Sequence, residues 1–79
     1  MDQNQNERKE FLQQQLQWTK GQIDILDQMD MKLQEMKGIA EHVAHNELSQ
    51  SEIVNSSAEI NALNQEYEKL IESYQMVVH

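Results

Sequence analysis

From Leu26 to Leu70, apolar residues recur three and four apart on both sides of a single break at Ala44-His45-Asn46-Glu47-Leu48-Ser49. Leu26, Met29, Leu33, Met36, Ala40 and Val43 precede the break; Ile53, Ser56, Ile60, Leu63, Tyr67, Leu70, Tyr74 and Val77 follow it. That spacing keeps one face of an α-helix apolar. Two such helices flanking a short joint fold back on each other as an antiparallel hairpin. The chain has no Pro and only Gly21 and Gly38 as breakers, so each helix is free to run long. Strands would need more β-branched and aromatic residues. The expected fold class is therefore all-α, an antiparallel two-helix coiled-coil hairpin. Helix 1 is expected at about 7–45 and helix 2 at about 50–77. The polar, aperiodic residues 1–6 read as a disordered tail ahead of a single domain over 7–79.

The joint has recognisable start and stop chemistry. Ser49-Gln50-Ser51-Glu52 has the spacing of a capping box, in which Ser49 and Glu52 each satisfy the other's backbone amide. Leu48 and Ile53 stand where a hydrophobic staple would pack. Asn46 is suited to the left-handed conformation that ends many helices. His45, in the last turn of helix 1, favours the negative end of its dipole.

Upstream, the seam continues as Leu12, Leu16, Thr19 and Ile23, with two three-residue steps in succession at Ile23, Leu26 and Met29. That irregularity resembles a stammer. A second row runs beside it: Phe11, Trp18, Ile25, Lys32 and Ile39, each seven apart. One short helix cannot cover both rows, and a helix apolar over a wide arc touches more than one neighbour. Phe11, Trp18, Ile25 and Ile39 are therefore the expected intermolecular stripe. Two hairpins joined through it would form a four-helix bundle, a homodimer, unless another helical protein takes that face.

Charge narrows the partners. Fourteen acidic against six scattered basic residues give a net charge of -8, so there is no basic patch for nucleic acid or for an anionic membrane surface. No apolar run reaches the length of a membrane span, and no signal-peptide pattern opens the chain. The cytoplasm is the expected location, or export through an apparatus that needs no signal peptide. With no Cys, neither a disulfide nor a thiolate metal site is available.

No constellation for chemistry emerges. His42 and His45 share a helix face beside Glu41, but two imidazoles without a further ligand are half a metal site. Glu59, Glu66, Glu68 and Glu72 read as a solvated face, because paired acid–base carboxylates need a desolvating pocket. Ser56 and Ser57 have no base or oxyanion arrangement beside them. The five Met residues read as adaptable packing. No cofactor, metal or catalytic residue is expected, and the chain reads as a non-enzymatic interaction protein.

The order of these pieces resembles bacterial flagellin. The residues are Leu33-Gln34-Glu35-Met36-Lys37-Gly38-Ile39-Ala40, Val43-Ala44-His45-Asn46, Ser49-Gln50-Ser51-Glu52 and Glu59-Ile60-Asn61-Ala62-Leu63-Asn64-Gln65-Glu66-Tyr67. They are similar to the helix-turn-helix segment in the N-terminal half of flagellin, within its inner coiled-coil domain, over about residues 26–70. The resemblance implies a bacterial structural hairpin that works by coiled-coil contact. It does not extend to residues 1–20, and Glu35 and Gly38 stand where flagellin carries Arg and Glu. The alternative is a small acidic adaptor or chaperone-like partner of a bacterial secretion or regulatory system, with a convergent hairpin.

Overall fold

Two apolar-striped segments separated by one capped joint leave a single economical arrangement, and the computed structural model adopts it. It describes the backbone of residues 2–78 and the side chains of residues 3–74. Helix α1 spans Asp2–His45 and helix α2 spans Gln50–Val78, with 44 and 29 residues. They pack against each other as an antiparallel hairpin with extents of 72 × 19 × 12 Å. Among the described residues there is no strand. α1 begins at Asp2 rather than near residue 7, so residues 2–6, read as a disordered tail, are helical. Nothing in Gln3-Asn4-Gln5-Asn6 breaks a helix. The terminal apolar residues Met76 and Val77 and the imidazole of His79 lie outside the described side chains.

The corner is built by hydrogen bonds. Ser49 Oγ accepts from the Glu52 amide at 3.2 Å, and the Ser49 amide donates to Glu52 Oε1 at 3.3 Å. The Ser49 hydroxyl also donates to Glu52 Oε1 at 3.0 Å, and the Ile53 amide donates to the Ser49 carbonyl at 3.0 Å, starting α2. These contacts satisfy orphan donors of the first turn. The end of α1 differs from expectation. No residue among those described takes a positive φ, so Asn46 does not stop α1 by a left-handed turn. It uses its side chain: Nδ2 donates to the His42 carbonyl at 2.8 Å and lies 3.1 Å from His42 Nδ1. One orphan carbonyl is satisfied without backbone strain. Leu48 and Ile53 line different grooves, Leu48 beside Ile39 and His42, Ile53 beside Ala40 and Val43.

The seam on α1 is Gln22, Ile25, Met29, Lys32, Met36, Ile39 and Val43, all half-buried except Gln22, which is buried. On α2 it is Ser56, Ile60, Leu63, Tyr67, Leu70, Ile71 and Tyr74, all half-buried. Lys32 Nζ reaches Glu66 Oε2 across the seam at 2.8 Å. This pair marks the level of the two helices. By it, Val78 lies near the level of Lys20, so the earlier part of α1 has no described α2 residue beside it.

Candidate protein-interaction site

The arrangement corrects the expected division of α1 into core and outer face. Ile25 and Ile39 are half-buried in the hairpin seam. Phe11 and Trp18 continue that same row past the described part of α2 and are 57% and 43% exposed. The outward row, turned to one flank of the seam, is Leu12, Leu16, Thr19, Ile23, Leu26, Asp30, Leu33, Lys37 and Ala40, one residue on from the seam and so about 100° further round the helix. Leu12, Leu16, Ile23, Leu26 and Leu33 are all exposed, from 58% at Leu12 to 45% at Leu26. The reason is geometric. Met29, Met36 and Val43 fit a three-four pattern with Leu26, Leu33 and Ala40 on one side or with Ile25, Lys32 and Ile39 on the other. Spacing alone does not choose between them. The irregular step at Ile23, Leu26 and Met29 is a crossing from the outward row to the seam, and α1 is continuous through it.

The result is a hairpin without an enclosed apolar core. No apolar side chain among the described residues is buried. The one buried side chain among them is Gln22, 6% exposed, whose Nε2 and Oε1 find no hydrogen-bond partner among the described residues. Spacing offered no sign of Gln22. It falls into the seam only once Ile25 and Met29 are assigned there.

Two grooves flank the seam. One, of about 790 Å³, has a floor that includes Ile39, Leu48 and Leu63 and a rim bearing Glu35, Glu52 and Glu59. Gly38 opens onto it, and a Cβ built there meets nothing within 4 Å. The other, of about 280 Å³, runs between Ala40 and Val43 on α1 and Ile53, Ser57 and Ile60 on α2. It adjoins the outward row at Ala40.

Electrostatic structure is sparse. Glu66 raises the Lys32 pKa above its ordinary 10.5, first by the hydrogen bond and then by its charge, with Glu35 adding to it. Lys37 and Glu41 make a looser exposed pair at 3.9 Å. His42 is tied to Asn46, and His45 is exposed. No group of three or more His, Asp or Glu side chains that could hold a metal lies together among the described residues. No described helix is long and apolar enough to cross a membrane.

No family model, no curated protein and no solved structure matches this chain.

Proposed function

We propose that this chain is a non-enzymatic helical interaction protein that works by coiled-coil self-association, in the manner of the flagellin inner hairpin it resembles over residues 26–70. The observation that carries the reading is the outward row of α1, five large aliphatic side chains left about half exposed on a hairpin with no buried apolar residue among those described. A lone two-helix hairpin buries too little to be well stabilised, and covering such a row supplies what is missing. Phe11 and Trp18 extend the same need along the neighbouring face. Sedimentation equilibrium at micromolar concentration tests it. The expected mass is twice 9.3 kDa or a higher multiple, and a 9.3 kDa species would overturn self-association.

A second reading, a small acidic adaptor or chaperone-like partner of a bacterial secretion or regulatory system, draws on the larger groove. Its apolar floor and glutamate rim suit a basic amphipathic helix from another protein. A monomeric mass would favour it.

A further inference from the structure

We infer that the outward row of α1 is the seam for a second copy of this chain, packed antiparallel about a two-fold axis level with Asp24 and Ile25. The inference rests on the self-association reading and adds the surface, the direction and the register. Along the row, polar side chains interrupt the aliphatic ones at Thr19, Asp30 and Lys37. A parallel, in-register pair would set Asp30 against Asp30 and Lys37 against Lys37 in a drying interface, and like charges placed so are strongly disfavoured. Antiparallel packing avoids both clashes. With the axis at Asp24 and Ile25, Ile23 faces Leu26 of the second copy, Leu16 faces its Leu33, and Thr19 faces its Asp30. Leu12 then faces its Lys37, whose alkyl stem is apolar and whose ammonium reaches water. Sliding the second copy seven residues either way sets the Asp30 carboxylate against Leu26 or against Leu12. Of these three registers, only the central one gives the Asp30 carboxylate a polar partner.

The flanks agree. In this register Lys20 lies beside Asp27 of the second copy, and symmetry makes the pair twice, where coiled coils place the charges that set orientation. Both residues are exposed in the hairpin. The excess acid does not collect at this seam, because helical spacing sets Asp24 and Glu35 on the far side of α1. A closed two-fold pair is also the commonest solution for identical subunits.

The chain has no cysteine, so introduced thiols report cleanly. Leu16→Cys and Leu33→Cys proteins are made separately, mixed, oxidised mildly, and resolved by mass. The expected product is the mixed disulfide, joining one Leu16→Cys chain to one Leu33→Cys chain, with little of either like-with-like disulfide. Like-with-like products from each variant alone would overturn the antiparallel assignment. A second arm uses charge and leaves the row intact. Lys20→Asp and Asp27→Lys should each weaken association about tenfold, and the double variant should restore most of the loss. A dimer of full mass that ignores both single exchanges and gives no mixed disulfide overturns this surface while self-association stands. A wild-type chain of monomer mass overturns both.

Discussion

Gln22 is the one buried side chain among the described residues, and it is polar. It is 6% exposed, and neither end of its amide has a hydrogen-bond partner among the described residues. An amide left unsatisfied in a buried site costs about 1–3 kcal/mol of desolvation. Gln22→Met keeps the length and flexibility of the side chain and removes only the polar end. The gain should therefore approach the desolvation term itself, about 1–2 kcal/mol, with little change from packing. For a domain of this size that corresponds to roughly 4–8 °C in Tm for each kcal/mol. Thermal melts followed by circular dichroism, run at several protein concentrations to separate folding from association, read it directly. Gln14→Met, at an exposed position of the same helix, is the control and should stay within about 0.5 kcal/mol of the parent. A Gln22→Met chain less stable than the parent would refute the reasoning, because it would mean that the amide makes a stabilising bond in solution. A polar residue in a coiled-coil seam also fixes register at a cost in stability. The same variant should therefore pair its helices less uniquely even as it melts higher.

Three further outcomes follow from the same geometry. Ser49→Ala should cost about 1 kcal/mol and Glu52→Ala less, with the double variant less than additive since the two residues bond each other; four melts decide it. Gly38→Ala should stabilise the hairpin by about 0.5–1 kcal/mol, because the new Cβ meets open space and the helix loses a flexible residue; a loss of stability in urea titration would show that the glycine is needed in the fold. On the alkaline side the Lys32–Glu66 pair should fade as pH climbs past 10.5 through the raised folded pKa of Lys32, since a pKa higher in the folded than in the unfolded chain adds stability only below it; Glu66→Gln should flatten that part of the stability–pH curve relative to the parent.

What could be read in the residues, and what could not, divides along one physical line. The corner is local chemistry. Ser49 and Glu52 bond across three residues of one chain segment, so their types and spacing nearly determine the contact. The helices are also local, since an unbroken chain with few β-branched residues has no competing state, and even Asp2–Asn6 joins α1. Which face of α1 meets α2 is not local. Met29, Met36 and Val43 accept either neighbour row, and the choice falls to contacts that spacing does not carry. One of these is Lys32, which reads as a blemish in an apolar row yet reaches 2.8 Å to Glu66 across the seam. An ion pair whose partner lies on the other helix marks that row as the inward one, and Ile25 and Ile39 share it. Gln22 follows from the same rotation, as a polar side chain that becomes a seam residue once its neighbours do. The rotation also relocates the candidate interface. Leu26 and Leu33, which spacing assigned to the hairpin's own core, become half-exposed members of a row that a second surface could cover. A reading that weighed cross-helix charge pairs together with apolar spacing would have found that face, because Lys32 lies 13 residues before the end of α1 and Glu66 lies 16 after the start of α2, within one helical turn of level.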